Sequence, residues 1–302
     1  MKNSRNWFLR IGLALLLLLL FFMFLGPELP FVDKTLTPVP SRWTADKKLV
    51  LPKYKPSPEN PLGSNKNGVD NLSMLVMGTK ETVYLIVTIA FLRYLIGVPL
   101  GLLARKGKGF FSFLVAVLNQ TFSFLPTLIS AVLILSAPFL LFSDHRLFWV
   151  LFLLAFIEAG RVADLVAVRT RDLTREPYME AGRVLGLSSW RMIKNYYLPG
   201  LLPEIIVGFT LDVGKVMLLI GQLGVLSIFI TQDWMETGYY FKEFVDKSIN
   251  WVGILAANRA DIFMGKFSFI FYPALAIMYV VLTFNLIGEG LRVRYLSKRR
   301  AV

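Results

Sequence analysis

Residues 179–200 read MEAGRVLGLSSWRMIKNYYLPG. Glu180, Arg183, Arg191 and Lys194 place charges of both signs in a segment that has glycines at 182 and 186 and ends in Leu-Pro-Gly. Long apolar runs precede and follow it. The local signals predict two short helices. Arg175-Glu176-Pro177 opens the first, because a proline in the first turn lacks an N–H that the helix would not use there. Glu180 lies near the positive end of that helix. Gly186 can take the left-handed conformation that stops it. Ser188 or Ser189 then caps a second helix running through Trp190, Met192 and Ile193 toward Leu198, and Pro199 opposes its continuation.

Outward from this stretch, the chain is a membrane sequence. Of 302 residues, 55% are hydrophobic, and the mean hydropathy is +0.59; soluble domains contain about 45–50% apolar residues. Apolar runs at about 7–25, 82–104, 124–142, 147–167, 201–229 and 267–288 predict an all-α membrane protein with six spans, each near the 20 residues needed to cross the hydrocarbon layer. Glu158 and Arg161 interrupt the fourth run. Pro126 and Pro138 are expected to bend or end helices in the third.

The net charge of +13 is distributed as a topology signal. Lys2, Arg5 and Arg10, then Arg105, Lys106 and Lys108, then the series from Arg161 to Lys194, and finally Arg292 to Arg300 all fall on one side of a six-span chain. Short basic loops stay in the cytoplasm. Both termini are therefore expected inside a plasma or inner membrane, with the lipid bilayer as partner and no role for nucleic acid. The leucine run LALLLLLLFFMFLG fits a retained anchor, since GPELPF follows it rather than a small-x-small cleavage site. The resulting organisation is an anchor helix (1–25), an external insertion rich in Pro and Lys (26–81), and a core (82–292) with a cytoplasmic loop at about 168–200. A second external loop spans about 230–266, and a basic tail spans 293–302. In the second loop, WMETGYYFKEFVDKSI has an amphipathic helical rhythm, suiting either a helix over the outer mouth or a docking surface for an external partner.

Several chemistries are excluded. The absence of cysteine removes disulfides, thiolate catalysis and Cys-based zinc sites. The single histidine, His145, sits between Asp144 and Arg146 and reads as a loop residue, so no metal site is expected. There is no G-x-x-x-x-G-K-[ST] phosphate loop, H-E-x-x-H or G-x-S-x-G, which argues against an enzyme. Arg93 interrupts the second apolar run, and Asp212 and Lys215 interrupt the fifth. Each costs about 2.5–3.5 kcal/mol to insert on translocon scales. Asp212 and Lys215 are three apart and share a helix face. They suit an internal ion pair, shared with Arg93, or a polar strip lining a pathway with Asp212 facing it.

The spacing Glu180-Ala181-Gly182, three residues, Gly186, nine residues, Tyr196, one residue, Leu198, Pro199 resembles the EAA loop of ABC-importer permeases, E-A-A-x3-G-x9-I-x-L-P. Gly182 stands in place of the second Ala and Tyr196 in place of Ile. Residues 60–83, NPLGSNKNGVDNLSMLVMGTKETV, are similar to the segment preceding span two in oligopeptide, dipeptide and nickel permeases. Pro61, Gly63, Gly68, Asp70, Ser73 and Gly78 match, whereas Ser64, Asn65 and Val69 replace Thr, Asp and Arg. IGVPLGLLA (96–104), WVGILAANRADI and FYPALAIMYVVLTFNLIGEGLR (271–292) extend the likeness, closest to the second permease of the pair.

The resemblance implies a type I ABC-importer permease bundle with a cytoplasmic coupling helix. Glu180, Ala181, Gly182, Gly186, Leu198 and Pro199 would couple it to an ATPase. It implies a sister permease, two ATPase subunits and an external substrate-binding protein, with ATP and Mg on the ATPases and no cofactor on this chain. The implied cargo is an oligopeptide or dipeptide, or alternatively nickel or a metal chelate. A stand-alone ion-coupled carrier built on Arg93, Asp212 and Lys215 would leave the EAA-like loop unexplained.

Overall fold

In lipid a backbone must satisfy its own hydrogen bonds, which favours helices, and helices dominate this chain. The computed structural model describes residues 6–43, 47, 49–236, 242–246, 248–259 and 268–299. Its helices are α1 (Trp7–Phe24), α2 (Asn71–Leu103), α3 (Phe110–Ser123), α4 (Thr127–Leu135), α5 (Pro138–Leu141), α6 (Arg146–Thr174), α7 (Pro177–Val184), α8 (Ser189–Met192), α9 (Leu198–Val225), α10 (Trp251–Ala257) and α11 (Ser268–Arg299). Two antiparallel strand pairs accompany them. The pair β1 (Arg42–Trp43) and β2 (Leu49–Val50) is minimal, whereas β3 (Gln232–Glu236) and β4 (Lys242–Asp246) pair from Gln232↔Asp246 to Glu236↔Lys242.

Each of the six apolar runs falls on helix. Among the described residues, α1, α2 and α11 are both long and apolar enough to cross a bilayer. The third run is broken as its prolines predict: α3 and α4 meet at 93°, with Pro126 immediately ahead of α4, and Pro138 opens α5. Together α3 and α4 make a fourth candidate crossing. The 29 residues of α6 and 28 of α9 exceed a hydrocarbon thickness of about 30 Å at about 1.5 Å per residue. Both also carry ionisable side chains.

The structure departs from the sequence reading at four places. α2 begins at Asn71, well ahead of the apolar run, because the Asp70 carboxylate accepts hydrogen bonds from the Ser73 N–H and Oγ, both at 2.7 Å, and so caps the helix. The loop at about 230–266 forms the paired strands β3 and β4 instead of an amphipathic helix; the Trp, Phe and Val of those strands favour extended structure. Residues 237–241 and 260–267 of that loop lie outside the described residues. α11 runs on through most of the expected tail to Arg299. Finally, the helix continues through Pro199, in the first turn of α9, directly after a π-helical turn, Ile193–Tyr197. A change from i→i+4 to i→i+5 bonding interrupts the regular ladder, and a missing donor is cheapest at such a place.

The chain divides into two compact units, 1–10 with 87–216 and 284–302, and 11–86 with 217–283. In the first, α2 lies directly on α6. A Cβ added at Gly97 would stand 2.8 Å from Val162, and one at Gly101 only 2.4 Å from the Ala163 carbonyl oxygen. Two glycines four apart let these backbones approach as no larger residue would. Ala104, Val115, Ala163 and Ala167 extend the small-residue contact to α3.

In the second unit, the Trp251 indole N–H donates to the Leu75 carbonyl at 2.7 Å, and its backbone N–H donates to Thr82 Oγ1 at 3.0 Å. These bonds fix α10 on the N-terminal half of α2. The Asp33 N–H donates to Ser73 Oγ, tying the first insertion to the same helix start. Hydrogen bonds from Thr35 and Thr37 hold the Asp33 carboxyl well below the usual carboxylate range.

Candidate coupling surface and buried charge network

The stretch 177–198 forms the helical pair its sequence predicts. Glu176 is the N-cap of α7 and Pro177 occupies its first turn. Gly186 sits at φ +69° in the connecting turn, the left-handed region that glycine enters without penalty. The Ser188 side chain accepts a hydrogen bond from the Arg191 N–H and caps α8. One face of the pair is buried: Met179, Met192 and Tyr197 join Leu201 of α9, Leu102 of α2 and Val166 of α6 in one apolar cluster. The Thr174 and Tyr197 hydroxyls also lie 3.1 Å apart. The other face is open. Val184, Leu185 and Trp190 are 87%, 74% and 71% exposed, and Glu180, Ala181, Arg183, Arg191 and Lys194 are exposed around them.

Of the predicted coupling residues, Gly182 alone is buried. A Cβ there would stand 2.9 Å from Met192 Sδ and 3.4 Å from Tyr196 Cζ. The two departures from the EAA pattern are therefore neighbours in space: the glycine spares Met192 a close contact, and an added methyl would meet the Tyr196 ring at ordinary contact distance. Tyr196 stacks on Tyr178, with ring centroids 6.4 Å apart and planes 13° from parallel. Leu198 and Pro199 are exposed at the junction with α9.

About five residues toward the middle of α6 from Val166 lies a buried charge network. The side chains of Arg93 and Asp212 are 2% and 3% exposed and pair at 3.3 Å. The other oxygen of Asp212 accepts from Arg161 at 3.0 Å, and Arg161 donates in turn to Glu158 at 2.5 Å. Thr127 Oγ1 donates to Glu158 at 2.6 Å, and a second Arg93 nitrogen donates to the Leu154 carbonyl at 3.3 Å. Two cations and two anions thus neutralise one another, which is how charges persist in an apolar interior. Asp212 is wholly engaged inside the unit and does not reach its surface. Lys215, one turn further along α9, is exposed and makes no hydrogen bond or ion pair among the described residues.

Residues 97–301 match the family described as the binding-protein-dependent transport system inner membrane component. The chain belongs to this family. It is similar to the glutathione transport system permease protein of Pectobacterium atrosepticum, at 26% identity over 237 residues covering 78% of this chain and 72% of that protein. A probable D,D-dipeptide transport system permease protein of Escherichia coli K12 is 22% identical over 279 residues, covering 92% and 84%. A putative peptide transport system permease protein of Brucella abortus is 25% identical over 291 residues, covering 96% and 88%. The protein is a multi-pass inner-membrane permease, a transport subunit of an ABC importer.

The matched region of the permease contains the α7–α8 pair, three of the four members of the charge network (Glu158, Arg161 and Asp212), and Lys215. Sequence reading missed the roles of Glu158 and Arg161. The sequence reading places Arg161 with the cytoplasmic cations; of its internal pair of Asp212 with Lys215 and Arg93, the structure forms the Arg93 part and not the Lys215 part. The available signal was the i, i+3 spacing of Glu158 and Arg161 within an apolar run, the arrangement of a helical salt bridge. Beside this pair the permease has an open cleft of about 430 Å³, polar at Asn119, Ser123 and Thr127 and walled by Phe122, Leu125 and Ile157.

Proposed function

We propose that this permease imports short peptides, working with a sister permease, two ATPase subunits that bind ATP and Mg, and an external substrate-binding protein. The chain itself binds no cofactor and hydrolyses no ATP. Both termini face the cytoplasm, and α7–α8 is the coupling element that enters a groove on an ATPase. The observation that carries this reading is the two-faced hairpin. Its open face presents Val184, Leu185 and Trp190 within a ring of charges, while its closed face is joined through Met179, Met192 and Leu201 to α2, α6 and α9. A push from a closing ATPase dimer then moves the inner ends of three long helices together, as a rigid-body switch of access requires. Glu180 meets the ATPase, Ala181 lies beside it on the open face, Gly182 and Gly186 keep the hairpin closed and turned, and Leu198 and Pro199 form its joint with α9. The peptide class is supported by the names of the relatives, which specify glutathione, D,D-dipeptide and peptide transport.

The test is affinity isolation of the tagged chain from mild-detergent membranes, with partners identified by mass spectrometry, beside a Glu180→Arg, Gly186→Pro variant. The expected result is a sister permease and ATPases with the wild type, and loss of the ATPases alone with the variant. Recovery of an active chain by itself overturns the reading.

A further inference from the structure

Lys215 stands on α9 and makes no ion pair or hydrogen bond among the described residues. Arg93 and Arg161 are balanced by Asp212 and Glu158. Lys215 lies close enough to Arg161, Asp212 and Glu158 to feel their fields, yet it bonds to none of them. It adds one uncompensated positive charge to the face of α9 on which it is exposed.

The position along the helix rules out an easy escape. α9 spans Leu198–Val225, so Lys215 stands between three and four residues beyond its midpoint, about 5 Å at 1.5 Å per residue. With a hydrocarbon half-thickness of about 15 Å, the headgroups remain about 10 Å away. A lysine stem is too short to span that gap comfortably by snorkelling. An exposed ammonium at this depth therefore faces water or an anion rather than lipid.

We propose that Lys215 contacts a carboxylate of the transported substrate in the translocation pathway, next to the polar wall formed by Glu158 and Arg161. This rests on the peptide reading above. Every peptide with a free C-terminus carries a carboxylate whatever its side chains, so one cation serves a whole cargo class. The hydroxyl and amide groups of Ser123, Thr127 and Asn119 in the adjoining cleft suit the amide groups of such a cargo. The internal balance of the other four charges is part of the device. Because Asp212 is occupied by two arginines, it does not compete with the substrate for the Lys215 ammonium.

The experiment uses the complete transporter, with its binding protein, in proteoliposomes. Uptake of dialanine is measured for wild type, Lys215→Arg, Lys215→Met and Lys215→Glu, with subunit assembly followed by size exclusion and basal ATPase activity recorded. The expected result is intact assembly and basal ATPase throughout, with uptake near wild type for Arg, about tenfold lower for Met and lower again for Glu. That ordering is the signature of an anion at the site, and tenfold corresponds to the loss of one charged hydrogen bond. Uptake by the Met variant within twofold of wild type overturns the proposal, as does equal uptake by the Met and Glu variants. Loss of assembly in the Met variant also overturns it and assigns Lys215 to a carboxylate of the sister subunit. A wild-type transporter that moves no dialanine or other short peptide sinks the peptide reading itself, a result separable from all three.

Discussion

At position 182 a methyl group would lie 2.9 Å from Met192 Sδ and 3.4 Å from the Tyr196 ring. Met192 is buried against Met179 and Tyr197, so its sulfur yields only by disturbing neighbours that are themselves packed. Gly182→Ala is expected to loosen the hairpin by about 1–3 kcal/mol, the usual range for overpacking. Tyr196→Ile removes the ring that the added methyl would touch beside Met192. In the double variant, Gly182→Ala with Tyr196→Ile, the two effects should be non-additive, with a coupling of about 1 kcal/mol in the direction of rescue. A double-mutant cycle read by amide exchange of residues 177–198, or by substrate-stimulated ATPase activity, measures that coupling. Strict additivity would mean that the two departures from the EAA pattern arose independently. Taken one residue at a time, each departure reads as a weakening of the motif. In space the two stand side by side against Met192.

The elements around the charge network show what a sequence discloses and what it withholds. Pro177, Gly186 and Ser188 act through their own backbone geometry and nearest turns, so the outline of α7 and α8 was legible residue by residue. Pro126 and Pro138 were legible for the same reason. The π turn ahead of Pro199 was not, because a change of hydrogen-bond register leaves no residue-type signature. The partnership of Asp212 with Arg161 was hidden for a further reason. It joins α9 to α6 across 51 residues of chain, whereas the apolar-run positions pointed to Arg93 and Lys215. The buried network also fixes what its loss should cost. Asp212→Asn leaves Arg93 buried with only the Leu154 carbonyl and Arg161 with only Glu158. Removing one member of a buried pair costs about 3–5 kcal/mol, whereas replacing both by apolar residues is often neutral. Thermal unfolding of the detergent-solubilised transporter should therefore fall steeply for Asp212→Asn and largely recover for Arg93→Met with Asp212→Leu. Recovery of stability without recovery of uptake would separate the packing role of the network from any part in transport.

For the molecule as a whole, the open question is which loops share a side of the membrane, and the bent pair α3–α4 decides it. Between Lys108 and Arg175 the chain passes through α3, α4, α5 and α6. If the 93° pair completes a crossing and α6 makes another, Lys108 and Arg175 emerge together. If the pair only dips into the bilayer and returns, they emerge on opposite sides. Charge favours the first arrangement, because Arg105, Lys106 and Lys108 would then lie with Arg169, Arg171 and Arg175, and basic short loops are retained inside. The natural absence of cysteine makes the test direct. Single cysteines at Lys66 and Lys55, both exposed in the first insertion, and at the exposed Lys108 and Arg175, are challenged with a membrane-impermeant maleimide in right-side-out spheroplasts. Labelling is expected at Lys55→Cys and Lys66→Cys in intact cells, and at Lys108→Cys and Arg175→Cys only after permeabilisation. Labelling of Arg175→Cys from outside, with Lys108→Cys still protected, would make the α3–α4 pair a re-entrant element. The cleft at its bend, beside Glu158 and Arg161, would then be the inner end of a half-membrane loop, with transport running past its tip.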